Sequence, residues 1–329
     1  MYRTLLALAL ASPLAAAMTN PAAAQPDEIR VGTSGTANTV LALWMAQAGG
    51  FYAAQNLKVS FANMGGGSRG AEALRAGRLD VMHVGLSSVV QLNRGGADLR
   101  TIASLANVIR FGFFTKPSVQ TAAGLKGGTV AISTFGSESD ATVTLALQRL
   151  SLTYKDVTLK EYGDSPKRLA ALLAGEIAAT TLNEPFASAA RERGLAPLVD
   201  LAAEKIPWLF STLVVNRSMI EQNRDVLTRF LRATVEGNYL AVTDAKRAKE
   251  VLAKESGISD PKIVEISYHD FTQMTPLDVE PIVAGAESIL AQYPHNVSRA
   301  LDDYIDWRIL NDLKREGLFA AMQQKYGKR

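Results

Sequence analysis

One stretch of this chain has the residue types and spacing to hold a ligand: Met64-Gly65-Gly66-Gly67-Ser68-Arg69-Gly70. Before it, Leu57, Val59 and Phe61 alternate with polar or small residues, the period of a half-buried strand. After it, Ala71-Glu72-Ala73-Leu74-Arg75-Ala76 reads as a short helix closed by Gly77. The glycines therefore stand where a strand turns into a helix. Glycine lets a backbone approach a ligand closely, and a helix start leaves unpaired N–H groups that favour negative charge. Ser68 is placed to cap the helix or to turn its hydroxyl to a ligand. Arg69 adds a forked donor suited to carboxylate, sulfonate or phosphate. Gly65, Gly67 and Gly70 also fit Gly-x-Gly-x-x-Gly, but no acidic residue ends the next strand, Val81-Met82-His83-Val84, as a dinucleotide site requires.

Other chemistries are excluded by composition. The chain of 329 residues has no cysteine, so it has no disulfides, thiolate zinc sites or thiol nucleophile. His83, His269 and His295 show no metal-ligand spacing. We expect no cofactor, no metal and no catalysis. The formal charge of +3 comes from intermingled basic and acidic residues, and no basic run is interleaved with aromatics, which argues against nucleic acid. Residues 1–24 have the layout of a secretory signal peptide: Arg3, an apolar core from Leu5 to Leu10, and Ala22-Ala23-Ala24 before polar Gln25-Pro26-Asp27-Glu28. The expected mature chain is exported, carries +2, and is long enough for two lobes.

Strands and helices alternate, which predicts an α/β fold with mainly parallel, doubly wound sheets. The pattern repeats. Ile29-Arg30-Val31 ends in Gly32-Thr33-Ser34-Gly35-Thr36, and Val130-Ala131-Ile132 ends in Ser133-Thr134-Phe135-Gly136-Ser137-Glu138-Ser139. Ala73-Leu74-Arg75-Ala76-Gly77-Arg78-Leu79 matches Ala171-Leu172-Leu173-Ala174-Gly175-Glu176-Ile177. Ala178-Ala179-Thr180-Thr181-Leu182 then partners the Val81 strand, and Asn183-Glu184 stands where Gly85-Leu86 stands. Two similar lobes would face each other, with ligand at the carboxyl ends of their strands. Ser165 before Pro166 reads as a helix cap, and Ser137 with Asp140 as a capping box. Helices are expected over Met219 to Thr243, Asp244 to Ser256, Leu277 to Tyr293 and from Asp306 towards Met322, packed outside a lobe.

The chain resembles the periplasmic solute-binding proteins of ABC importers, in the nitrate, sulfonate and taurine (NMT1/THI5-like) group. The resemblance rests on Ile29-Arg30-Val31-Gly32, Gly49-Gly50-Phe51-Tyr52 with Leu57-Lys58-Val59, Ala76-Gly77-Arg78-Leu79-Asp80-Val81, Asn183-Glu184-Pro185, and Asp306-Trp307 to Gly317-Leu318-Phe319. It implies a two-lobed type II fold, a monomer, with lobe 1 from residues 27–109 and 213–329 and lobe 2 from 110–212. The implied crossings lie near Asn107–Phe111 and Phe210–Leu213. Carried over by position, the implied ligand contacts are Ser34, Gly35, Thr36, Gly67, Ser68, Arg69, Ser87 and Ser88 in lobe 1. In lobe 2 they are Thr134, Phe135, Gly136, Ser137, Ser139, Asn183 and Glu184. Trp44 reads as core and Phe210 as a possible wall. The implied action is closure on a small anionic or zwitterionic solute, or an aromatic acid, followed by docking on a membrane permease. Glu138, Asp140, Asp164 and Glu184, if they face the cleft, suit an amine or hydroxyl instead. Two alternatives share the fold: an enzyme like that making the thiamine pyrimidine, or a binder of its precursor, with His83 beside Glu184 as the minimum for acid–base work; and a receptor for a sensor.

Overall fold

A computed structural model describes residues 25–327. The expected signal peptide lies outside the described residues. Ten strands form two five-stranded sheets. The first sheet holds β1 (Asp27–Thr33), β2 (Leu57–Asn63), β3 (Val81–Val84), β4 (Leu99–Val108) and β10 (Pro207–Asn216), in the order β2-β1-β3-β10-β4. The second holds β5 (Gly112–Thr115), β6 (Thr129–Ile132), β7 (Thr158–Glu161), β8 (Ala179–Leu182) and β9 (Pro197–Val199), in the order β7-β6-β8-β5-β9. β1 runs parallel to β2 and β3, and β10 runs antiparallel to β3 and β4. In the second sheet β6 is parallel to β7 and β8, while β5 opposes β8 and β9. Each sheet thus has four strands in one direction and one against them. This is the expected mainly parallel, two-lobed α/β architecture. The opposed strand of each sheet is the one entered on arrival from the other.

The sequence repeat is built at a constant offset. Helix Gly67–Arg75 recurs as Ser165–Leu173 and β3 as β8, each displaced by 98 residues (67 to 165, 81 to 179). Gly65 and Gly163, the same distance apart, both take left-handed φ, +65° and +84°, where a side chain would strain the backbone. The central strands read Val81-Met82-His83-Val84 and Ala179-Thr180-Thr181-Leu182 and are buried throughout, because helices cover both sheet faces.

Further helices are α1 (Leu41–Ala48), α2 (Gly67–Arg75), α3 (Leu86–Arg94), α4 (Glu138–Arg149), α5 (Ser165–Leu173), α6 (Phe186–Arg191) and α7 (Arg224–Thr243). Trp44 on α1 is 8% exposed in the core that α1 shares with α7. The last third is helical as expected, with four differences. The stretch expected as one helix over Met219 to Thr243 is two, Arg217–Gln222 and Arg224–Thr243, and that from Asp306 towards Met322 breaks at Gly317, whose φ is +79°, into Arg308–Arg315 and Leu318–Tyr326. The helix expected over Leu277 to Tyr293 is confined to Val283–Leu290, because Pro281 cannot continue a helix from upstream. Pro261–Met274 forms a helix the sequence reading passed over, begun by the Asp260 side chain accepting from the Lys262 N–H and by Pro261. Among the described residues no helix is long and apolar enough to cross a membrane.

The chain passes between sheets over residues 109–111 and returns over 200–206. The return lies upstream of the expected Phe210–Leu213, which sits inside β10 in register with β4.

Candidate functional site

The loops after the parallel strands of both sheets converge on one cavity of about 60 Å³. A water needs about 10–15 Å³ of such space, so the volume suits a solute of only a few heavy atoms. From the first sheet come Ser34, Gly35 and Thr36 after β1, Gly67 at the start of α2, and His83 to Gly85 at the end of β3. From the second come Ser133, Ser137, Glu138 and Ser139 after β6, Asp164, Ser165 and Arg168 after β7, and Asn183 after β8. Phe111, from the first crossing, and Phe210, on β10, meet edge to face at 4.9 Å and complete the wall.

Arg168 is the cation of this site. It is 2% exposed. Its Nε donates to Gly163 O at 3.0 Å, Nη1 to Thr181 O at 2.5 Å and Thr180 Oγ1 at 3.1 Å, and Nη2 to Ser165 Oγ at 3.0 Å. Ser165 Oγ in turn donates to Asn183 Oδ1 at 3.0 Å. Burial lowers its pKa to about 10, so the guanidinium stays charged at neutral pH. Four of its five N–H donors are spent on the protein, and it stacks 5.6 Å over Phe111.

Two carboxylates face this cation's side of the site. Asp164 is 5% exposed; Oδ2 accepts from Asn63 Nδ2 at 2.8 Å across the cleft, and Oδ1 has no partner. An unpaired buried acceptor costs about 1–3 kcal/mol, more when charged. Glu138 accepts from Ser87 N at 2.6 Å and from Trp208 Nε1 at 2.5 Å. Burial pushes its carboxyl up to about 7.

Three hydroxyls, Ser133, Ser137 and Ser139, form a closed triangle of 2.9 Å contacts beneath Glu138. His83 is buried, and burial pulls its pKa down to about 4, so it is neutral at pH 7. Its Nε2 lies 3.1 Å from Thr39 O, which can only accept, so Nε2 carries the proton; Ser211 Oγ shares that nitrogen. Nδ1 is then an acceptor, and it has no partner.

Direct hydrogen bonds join the two sides around the cavity: Asn38 N to Glu184 O at 3.1 Å, Ser68 N to Thr134 Oγ1 at 3.2 Å, and Ser68 Oγ to Phe135 O at 2.7 Å. Glycines permit this approach. A Cβ on Gly85 would sit 2.2 Å from the Glu138 carboxyl, and one on Gly66 would sit 2.8 Å from Thr134.

The NMT1/THI5-like family model matches residues 38–248, more than half of the chain. The chain belongs to the NMT1/THI5-like family. A relative, the riboflavin-binding protein RibY of Chloroflexus aurantiacus, is 28% identical over 156 residues, which is 46% of this chain. The match spans 43% of that relative's length. A solved structure from Bordetella bronchiseptica RB50 superposes with a TM-score of 0.78 at 19% identity, covering 92% of this chain and 99% of that one. The alkanesulfonate-binding protein SsuA of Xanthomonas axonopodis pv. citri, bound to MOPS, gives 0.69 at 21% identity, covering 82% and 92%. At these identities the likeness is one of fold.

In this NMT1/THI5-like chain, seven of the expected contacts line the cavity: Ser34, Gly35, Thr36, Gly67, Ser137, Ser139 and Asn183. The others do not, each for a local reason. Arg69 is exposed, with Nη1 folded back 3.4 Å from Met64 O. Helix α2 starts at Gly67, one residue before the expected cap, so Ser68 makes no cap and bonds to the opposite loop. Thr134 receives that loop's backbone. Ser87 holds Glu138 through its N–H, and Ser88 is buried under Gly67. Phe135, 54% exposed, and Gly136 border a separate depression beyond Glu138, with Tyr154, Trp208 and Tyr293. Glu184 accepts from Ser188 N at 3.1 Å and pairs with Arg191 at 3.0 Å, so its carboxylate serves α6 and no acid–base pair with His83 forms. One cap shifts and one is half made. Asp164, not Ser165, is the N-cap of α5; Ser137 caps α4 as expected, its Oγ accepting from Asp140 N at 3.4 Å, but Asp140 Oδ2 accepts from Gly136 N at 2.7 Å in place of the Ser137 backbone.

Sequence reasoning missed Arg168, Ser133, Ser165 and Ser211. One signal was present for Arg168. Ser165, Arg168, Leu169 and Leu172 fall at helical spacing on one face, so the arginine had to be buried with the leucines.

Proposed function

We propose that this protein is the exported solute-binding component of an ABC importer. The two lobes, each built on one sheet, close over a small polar solute and present the closed form to a membrane permease. The observation that carries the reading is the cavity ringed by loop ends of both sheets, with hydrogen bonds between the two sides. Family membership supports it, and so does the chemistry of the wall. Both Glu138 oxygens accept hydrogen bonds, and the His83 proton points at a carbonyl, so neither is arranged to move a proton on a substrate. The anionic expectation rested on Arg69, which lies outside the cavity, whereas a zwitterionic solute remains compatible with the charges inside. A solute acts by favouring the closed arrangement over an open one.

Thermal unfolding of residues 25–329 against sulfonates, taurine, nitrate, amino acids and small amines tests the reading. A solute at about 100 times its Kd should stabilise the chain by about 2.7 kcal/mol and be recovered unchanged. A solute that is consumed would replace the reading with an enzyme, and no stabilisation by any class would remove it.

A further inference from the structure

We infer that the solute carries a compact cationic donor group, an ammonium or a guanidinium, and that Asp164 Oδ1 is its principal acceptor. This rests on the proposed solute-binding role and names the class of solute. Among the described residues, two buried side-chain atoms of the cavity wall lack a partner: Asp164 Oδ1 and His83 Nδ1. With the proton on Nε2, both only accept. The charged residues of the wall are Asp164, Glu138 and Arg168. Arg168 has its Nε, Nη1 and Nη2 donating to Gly163, Thr180, Thr181 and Ser165, so it has little left to offer an anion. The site is rich in acceptors and its one cation is occupied. An anionic head group would meet the Asp164 carboxylate with no free counter-charge, which a buried site does not tolerate. A cation supplies the donor that Oδ1 lacks. The serine triangle of Ser133, Ser137 and Ser139 can accept further donors from it.

The position of Asp164 fits this role. Its Cβ lies 3.4 Å from where a Cβ on Gly35 would stand, and its Oδ2 is held by Asn63 of the first sheet's β2. A donor on Oδ1 would therefore be gripped by a carboxylate that both sides already fix.

Calorimetric titration of residues 25–329 in phosphate buffer tests it, with ethylammonium, ethanolammonium and guanidinium against ethanesulfonate and nitrate. The cations should bind and the anions should not. Asp164→Asn should weaken the cations by about 10- to 100-fold, the worth of a charged hydrogen bond. The amide oxygen can still accept from Asn63, and the unliganded unfolding midpoint of the variant, measured alongside, separates lost recognition from lost folding. Equal binding of the cations by wild type and variant overturns the assignment to Asp164. Binding of ethanesulfonate or nitrate alone overturns the cationic class while leaving the solute-binding role standing. Failure of every cation, anion and neutral solute overturns that role itself.

Discussion

The loop at residues 65–70 and its copy at 163–168 share a place in the repeat and divide the work. Gly65 matches Gly163, and both turn through left-handed φ. Beyond that they part: Gly66, Gly67 and Gly70 stand where Asp164, Ser165 and Arg168 stand. Downstream, Gly85 stands where Asn183 stands. The first copy provides clearance and the second provides chemistry. Glycines in the first lobe let Thr134 and Glu138 of the second come within contact, while the second copy brings the carboxylate and the guanidinium of the cavity. A glycine-rich loop in one half of a repeat is therefore a pointer to its counterpart.

The sharpest way to break this comparison is at its two arginines. Arg168→Met should destabilise the fold by about 3–5 kcal/mol in urea unfolding, because it strips the donors from five buried acceptors and leaves Asp164 without a neighbouring cation. Next comes clearance. Gly85→Ala places a methyl group on the Glu138 carboxyl and should cost about 1–3 kcal/mol, with a larger radius of gyration in X-ray scattering as the Ser87–Glu138 contact parts. An unchanged radius would mean the glycine is not there for approach.

The pH dependence sharpens the division further. Glu138 has its carboxyl raised to about 7, so the unfolded chain releases that proton first, and its ionisation lowers stability as pH rises from about 4.5 to about 7. His83, lowered to about 4, acts in the opposite sense, adding stability as pH rises from about 4 to 6.5. The two oppose each other between about 4.5 and 6.5. The stability of Glu138→Gln relative to wild type should therefore climb by on the order of 1 kcal/mol per pH unit through that window and level off above 7. A flat difference would show that the carboxyl is not held protonated by its burial. The smallest effect belongs to Arg69→Ala, which should change stability by less than about 0.5 kcal/mol. It should leave solute affinity within about twofold, and a large loss would return the first loop to the chemistry.

The fold was legible because its signals are periodic and doubled. Alternation marked β2, and the alanine- and leucine-rich helices before Gly77 and Gly175 recur at one offset. The loops of the site were legible too, since strand ends in such sheets converge. Which side chains enter the cavity was not. Arg69 looked like the anion holder from its place beside Ser68, read as the cap of a helix over Ala71–Ala76; the helix starts at Gly67 instead, and Arg69 lies exposed within its first turn. Glu184 looked like a cleft residue from its place after β8, yet α6 begins immediately and claims it. Arg168 was hidden inside a helix, where a charge is ordinarily taken as solvated, although its spacing put it on the apolar face. Phase within a single helical turn decides these cases, and sequence fixes phase only to within about a residue.

The long pair β4 and β10 carries the chain towards and away from the second sheet, and its ladder shifts register between Pro207 and Ser211, between Ser211 and Thr212, and between Leu213 and Val214. Such irregularities bend and twist a strand pair. Ser211 sits at the first of these bends and also touches His83 in the cavity wall. One residue therefore belongs both to the bent ladder between the two sheets and to the wall of the chamber.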